Sequence, residues 1–190
     1  MNAARRSLRA AGLALLLGCA ASHDVMKPAP APSDDPVADR ATVYFLLPSN
    51  SLHGTRFQVW DRTEFLGLGL PASYFIARCT PGNHLFVITA ENKVAVEADL
   101  EAGKRYYVLL GPTRGFVRAR ADATAVTRGS DAWDKVEAIQ KGLTYYEPDE
   151  VAVSNWQTSH RADAAEHAAW FATAPDREKY LEHLAASDGR

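Results

Sequence analysis

Side chains that could carry out acid–base or nucleophilic chemistry occur in this sequence, but they do not form a recognisable catalytic motif. The carboxylates that could act as a pair lie in or beside predicted turns, where acidic residues are common: Asp61, Glu64, Asp99 and Glu101. Segment 51–54 joins a serine, a histidine and a glycine without a placed acid or oxyanion donor. A nucleophile elbow, a phosphate-binding glycine loop and a dinucleotide fingerprint are all missing. We therefore expect a protein that is not an enzyme and uses no cofactor.

Three histidines in the last third of the chain have a spacing that could serve a metal site. His160 and His167 are seven residues apart and would share one face of a continuous helix, and His183 could approach from the next element. However, the sequence has neither a histidine pair at i and i+4 nor a closely spaced cysteine pair. Surface histidines on alanine-rich helices are the simpler interpretation, so we expect no metal.

The two cysteines, Cys19 and Cys79, have different surroundings. Cys79 ends the apolar run 74–79, which favours a buried, inert thiol over a nucleophile or an intermolecular disulfide. Cys19 directly follows an apolar run, residues 10–17, and a glycine; three arginines precede the run: Arg5, Arg6 and Arg9. This three-part order is typical of a secretory signal, and the run is too short for a membrane span of roughly 20 residues.

The segment Leu16-Leu17-Gly18-Cys19 resembles the lipobox of bacterial lipoproteins, although Leu17 is bulkier than usual. The resemblance implies a signal peptide over 1–18 and lipid, including palmitate, on Cys19 as the contact with the membrane. Cleavage near residues 20–22 of an ordinary signal is the alternative. Arg5-Arg6 gives a partial match to a twin-arginine signal, but the general secretory route fits better. Ala20 in place of aspartate implies sorting to the outer membrane, facing the periplasm.

Composition separates a linker from the rest of the exported chain. Residues 19–40 contain few large apolar side chains and four prolines at alternate or nearby positions, which predicts a lipidated, extended tether. Removing residues 1–18 takes away three of the 21 basic residues and none of the 23 acidic ones, leaving a net charge of −5. A mildly acidic chain without a basic patch is not expected to bind nucleic acid.

Residues 41–121 show the alternation of half-buried strands. Turn signals recur every 8 to 12 residues or so, and the connections are short, which predicts an antiparallel β-sandwich of about seven or eight strands. The strands are expected near 41–47, 55–60, 64–68, 73–79, 84–90, 93–100, 105–111 and 115–121. The strand at 105–111 is apolar on both faces and therefore central, whereas the arginines at 118 and 120 indicate an edge strand.

Several short motifs in this region resemble a domain family of unknown function found in bacterial exported lipoproteins. They are Ala41-Thr42-Val43-Tyr44, Val59-Trp60-Asp61 before Phe65-Leu66-Gly67, Ser73-Tyr74-Phe75, Pro81-Gly82-Asn83-His84 and the segment 100–108. The resemblance covers about 80 residues and consists of turn and core positions. It implies a fold and carries no catalytic residues.

Residues 122–190 are more acidic and helical in character, with helices expected over about 131–141, 161–172 and 175–186. Trp170 and Phe171 are adjacent on the second of these helices, so a thin alanine-rich helix cannot bury both alone. They either dock this helical extension on the sandwich or contact a partner. Trp60 could stack on a sugar at a loop end, with core packing as its default role.

Two functional hypotheses follow from these observations. The first is a non-enzymatic, membrane-anchored envelope lipoprotein that acts as an interaction or structural module, with an envelope protein as possible partner. The second is a lipoprotein that binds a small ligand or glycan through an aromatic residue such as Trp60.

Overall fold

The computed structural model describes residues 25–48, 56–114 and 119–190, and it shows a mainly β protein with one long helix. The strands within these ranges are β1 (Met26–Pro28), β2 (Ala41–Leu47), β3 (Phe57–Asp61), β4 (Glu64–Gly69), β5 (Ser73–Cys79), β6 (Gly82–Thr89), β7 (Lys93–Leu100), β8 (Arg105–Arg114), β9 (Ala119–Ala125), β10 (Thr144–Pro148) and β11 (Leu181–Leu184). The helices are α1 (Val136–Lys141) and α2 (Glu150–Thr173), with short 3-10 turns at Arg177–Tyr180 and Ala186–Asp188.

These strands form two mixed sheets. The first sheet has the order β1-β10-β5-β2-β8-β9, and the second has the order β11-β7-β6-β3-β4. Three pairs are parallel, namely β10 with β5, β2 with β8, and β11 with β7. The expectation of a purely antiparallel sandwich with seven or eight strands is therefore wrong. Short connections constrain only consecutive strands, whereas each parallel pair joins strands that lie far apart in the sequence.

The strands that alternation predicted are nevertheless present. β2, β5 and β7 have the predicted bounds. β8 is paired on both sides, with β2 and β9, which confirms its interior position. β9 lies at the edge of the first sheet, as predicted, but it covers Ala119–Ala125 instead of 115–121.

The main core lies between the two sheets and is rich in aromatic rings. The Phe45 ring packs 5.0 Å from the Phe75 ring on its own sheet and 5.3 Å from the Phe86 ring of the second sheet. All three side chains are at most 1% exposed. Each such burial stabilises the fold by about 1.5–3 kcal/mol, so packing can hold this chain together without a disulfide.

A second, smaller cluster covers the outer face of the first sheet. Four tyrosines form a row across adjacent strands: Tyr145 is paired with Tyr74, Tyr74 and Tyr44 are diagonal neighbours, and Tyr44 is paired with Tyr107. Neighbouring rings are 5.3, 6.3 and 4.8 Å apart in that order. Residues of α1 and its flanking segments pack over this row, and Tyr44 donates a hydrogen bond to Asp34 at 2.9 Å. The segment 131–141 thus seals one face of the sandwich.

Helix α2 is twice as long as predicted, since it starts at Glu150 instead of about 161. Asp149 caps its first turn by accepting a hydrogen bond from the Ala152 amide at 2.9 Å. Its buried positions, Ala164 and Phe171, are seven residues apart and share one face. The helix contacts β4 and β6, so it covers the second sheet. Its alanine-rich sequence has little apolar periodicity, which is why the first turns were not predicted.

Two segments are strands where other structures were expected. Met26–Pro28, which the composition assigned to the tether, pairs with β10, and Met26 is 4% exposed. Met26 packs so closely over Gly67 that a β-carbon there would lie 3.1 Å from its sulfur. The proline-rich composition of residues 19–40 as a whole concealed the short apolar segment at Val25 and Met26. The helix expected over 175–186 is a 3-10 turn followed by β11, because Leu181 and Leu184 become buried when β11 extends the edge at β7.

Candidate functional site

The outer face of the second sheet carries a short row of polar side chains beneath α2. Register pairs Gln58 with Thr89 and Thr89 with Lys93, so these three residues lie side by side on β3, β6 and β7. The next row along the same face is Trp60, Val87 and Ala95, which is apolar and buried. Because the polar row stands where α2 covers the sheet, it forms the floor of a cleft that is partly open to solvent.

This space is a cavity of about 420 Å³ between the sheet and the helix. Its roof is formed by Asp163, Ala164 and His167 of α2, and its rim is the turn 90–92 that joins β6 to β7. The Asn92 amide fixes the rim: it donates to the Ala121 carbonyl at 2.9 Å and accepts from the Ala121 amide at 2.6 Å. The cavity therefore has a rigid floor and one rim that is tied to the first sheet.

Trp60 lines this cavity, but it is a core residue and not an exposed stacking surface. Its side chain is 2% exposed, and its ring lies 4.8 Å from the Phe65 ring. The indole N–H donates to the Gln58 side-chain oxygen at 3.2 Å. Core packing, the default expectation for Trp60, is what the structure shows, and contact between this residue and a sugar stays a prediction. Because the Gln58 side-chain oxygen accepts the hydrogen bond from Trp60, its amide N–H groups are the part of this side chain that can donate into the cavity.

The charged and titratable groups of the cavity influence one another. Lys93 Nζ lies 5.2 Å from the centroid of the Trp170 ring, a cation–π contact. Burial lowers the pKa of His167 below its ordinary value, and the Lys93 ammonium lowers it further, against smaller opposing effects of Glu166 and Asp163. His167 is consequently neutral near pH 7 and offers one nitrogen as an acceptor.

Trp170 and Phe171 both pack within the chain. Phe171 is 1% exposed and belongs to the main core. The Trp170 ring is half-buried, 4.9 Å from the Phe171 ring and 5.8 Å from the Tyr180 ring. Of the two alternatives for this pair, the structure shows docking on the same chain. Phe171 is buried in the folded chain, and the half-buried Trp170 ring lies next to the Lys93 ammonium. Contact of this pair with a partner stays a prediction.

Cys19 and the signal-like segment before it lie outside the described residues. Among the residues that are described, no helix has both the length and the apolar character needed to cross a bilayer.

Comparison with protein-family models, curated proteins and solved structures found no match. The likeness of residues 41–121 to a domain of exported lipoproteins therefore stays a prediction.

A histidine–aspartate pair near Cys79 was not recognised from the sequence. His84 is 9% exposed, with Nδ1 2.5 Å from the Asp61 carboxylate and Nε2 2.9 Å from the Thr80 carbonyl. Both ring nitrogens are thus occupied within the chain. Burial, with further contributions from Asp61 and Glu64, raises the pKa of the Cys79 thiol to about 12, so it is protonated at neutral pH. A protonated thiol is a poor nucleophile, and the arrangement serves as a structural clamp.

The three histidines considered for a metal site have separate surroundings. His160 stacks on the Trp156 ring at 4.3 Å, whereas His183 lies 3.6 Å from Glu97 and 3.7 Å from Glu178. His167 lines the cavity. Across residues 25–48, 56–114 and 119–190, no group of three or more side chains of the metal-binding types has an arrangement that could hold a metal ion.

Proposed function

We propose that this chain is an exported, lipid-anchored envelope protein that acts as a non-enzymatic interaction or structural module. The observation that carries the proposal is the position of Cys19 at the end of a charged and then apolar N-terminal segment. Lipid on this cysteine anchors the protein, and Ala20 directs it to the outer membrane with the module facing the periplasm. The expected partner is another envelope protein, which chemical crosslinking followed by affinity purification would recover.

The fold supports a module that sits close to its membrane. Only residues 20–24 separate Cys19 from Val25, which is 3% exposed and packed in the core. Six residue steps reach at most about 22 Å at roughly 3.6 Å each. The short reach brings the edge of the first sheet near the lipid headgroups, where a partner in or on the same membrane is accessible.

The non-enzymatic assignment is supported by the chemical state of the groups closest to catalysis. The Cys79 thiol is buried and its pKa is raised to about 12, and the His84 ring is held by two oxygen partners. Neither group has the free nitrogen or thiolate that acid–base or nucleophilic catalysis requires.

Metabolic labelling with palmitate tests the anchor directly. We expect label on the wild-type chain and on Cys79→Ser, because residue 79 is buried and takes no part in lipidation. Cys19→Ser is expected to lose the label and to accumulate as an uncleaved precursor. Unchanged labelling of Cys19→Ser would refute the lipid anchor.

A second candidate function is the binding of a small ligand. The cavity under α2 favours it, since about 420 Å³ lies within the usual range for ligand pockets and several polar side chains converge on it. Ligand binding is compatible with the anchor, and it makes the module a receptor or carrier at the membrane.

A further inference from the structure

We propose that the cavity between α2 and the second sheet binds an uncharged, polyhydroxylated ligand of the size of one or two sugar rings. The proposal rests on the second candidate function and names the chemical class of its ligand. It is carried by the polar row Gln58, Thr89 and Lys93 and by the roof residues Asp163 and His167, which together line one cavity that is partly open to solvent.

The hydrogen-bonding groups of the wall match the hydroxyl groups of a sugar. The Lys93 ammonium and the Gln58 amide supply donors, because the Gln58 oxygen already accepts from Trp60. The Asp163 carboxylate and the neutral His167 ring supply acceptors. A sugar hydroxyl both donates and accepts, so it can satisfy neighbouring groups of either kind.

The charges of the wall argue against an ionic ligand. Lys93 is the cation of the cavity, and the carboxylates of Glu91 and Asp163 are its anions. An anionic ligand is repelled by the two carboxylates, which outnumber the ammonium, and a cationic ligand is repelled by Lys93 when it approaches that side of the cavity of about 420 Å³. An uncharged ligand avoids both repulsions and the desolvation of a second charge.

The apolar part of the wall is supplied by residues that belong to the packed interior. Trp60 and Ala164 line the cavity beside the polar row, and each is 2% exposed, so they close the wall without offering a stacking face. Trp60 is held by its packing on Phe65, which in turn stacks on Trp156 of α2 at 5.8 Å. This surface is therefore already in place before a ligand enters.

Calorimetric titration of the full chain in detergent with four monosaccharides tests the proposal. Glucose and N-acetylglucosamine are uncharged, glucuronate carries a carboxylate, and glucosamine carries an ammonium on a similar ring. We expect saturable binding of at least one uncharged sugar, and at least fivefold weaker binding of both charged ones. Tryptophan fluorescence provides an independent signal, because Trp60 lines the cavity.

Lys93→Met tests the location, since it keeps most of the side-chain stem and removes the ammonium. We expect at least tenfold weaker binding, with Lys179→Met as the control because Lys179 is exposed on the turn after α2. Binding that Lys93→Met leaves unchanged would overturn the assignment to this cavity. Preference for a charged sugar, lost in Lys93→Met, would overturn the uncharged class but keep the cavity as a binding site. Failure of all four sugars to bind would overturn the ligand proposal, while palmitate labelling decides the anchor separately.

Discussion

Replacing Phe171 by alanine distinguishes a core residue from a partner contact. The Phe171 side chain is 1% exposed and packs in the main core, and its backbone carbonyl accepts a hydrogen bond from Arg177 at 2.8 Å. Truncation of a fully buried phenylalanine usually costs about 3–5 kcal/mol, from lost transfer free energy and from the cavity that remains. A domain of this size typically has a total stability of about 5–15 kcal/mol. Phe171→Ala is thus expected to remove a large share of it.

Urea unfolding of the isolated chain measures this loss. With a slope of about 2 kcal/mol per molar urea, a loss of 3–5 kcal/mol lowers the midpoint by roughly 1.5–2.5 M. Val151→Ala is the matched control, because Val151 lies on the same helix and is 72% exposed. Its effect should stay within about 0.5 kcal/mol.

The reasoning is refuted if Phe171→Ala and Val151→Ala have the same midpoint. That result would mean that residue 171 does not contribute to the core, and it would restore the alternative in which Phe171 serves an external partner. A loss confined to Phe171→Ala shows that α2 is part of the folding unit.

Three further predictions concern burial and protonation. The Cys79 thiol, with a pKa raised to about 12 chiefly by burial, should react slowly with iodoacetamide at pH 8 in the native chain and rapidly in urea. Peptide mass spectrometry follows this reaction, and prompt native labelling would contradict the burial. His167 has a lowered pKa when folded, so the unfolded chain takes up its proton first, and the native state loses stability as the pH falls through about 6.5. His167→Gln should reduce the difference in the free energy of unfolding between pH 5.5 and pH 7.5, measured by urea titration. An unchanged difference would assign the pH dependence to other groups. Met26→Ala should cost about 2–5 kcal/mol, whereas the exposed neighbour variant Ala31→Ser should cost little; equal midpoints would show that β1 is not docked.

The alternation of polar and apolar residues was sufficient to predict the strands whose two faces differ in polarity. β7 alternates between a mostly buried apolar face and a more polar one, and its bounds were predicted without error. The register that joins such strands is a long-range property. The pairing of β2 with β8 depends on how the chain folds over some 60 intervening residues. Single-sequence alternation contains no information about that return path, so the parallel pairs were not predicted.

The same limit applies to the candidate site. His167 and Trp60 were noticed from the sequence, but as parts of two unrelated hypotheses, a metal site and a stacking surface. Gln58 and Lys93 are ordinary surface-type residues at alternating positions of separate strands. Only the register of β3, β6 and β7 places them in one row. The roof residues Asp163, Ala164 and His167 lie in the part of α2 that was predicted as a helix, but its docking over this row was not predictable from local pattern.

The way β1 joins the fold determines how a mechanical load enters the protein. The backbone amide of Asp149 donates to the Val25 carbonyl at 2.9 Å, and the Lys27 ammonium contacts the Asp149 carboxylate. Asp149 is the residue that caps the first turn of α2. A pull on the chain before Val25 therefore acts on the residue that caps α2, the helix that carries Asp163 and His167 of the cavity wall. If lipid on Cys19 anchors the chain as proposed, tension on that anchor acts close to the first turn of the helix that lines the cavity.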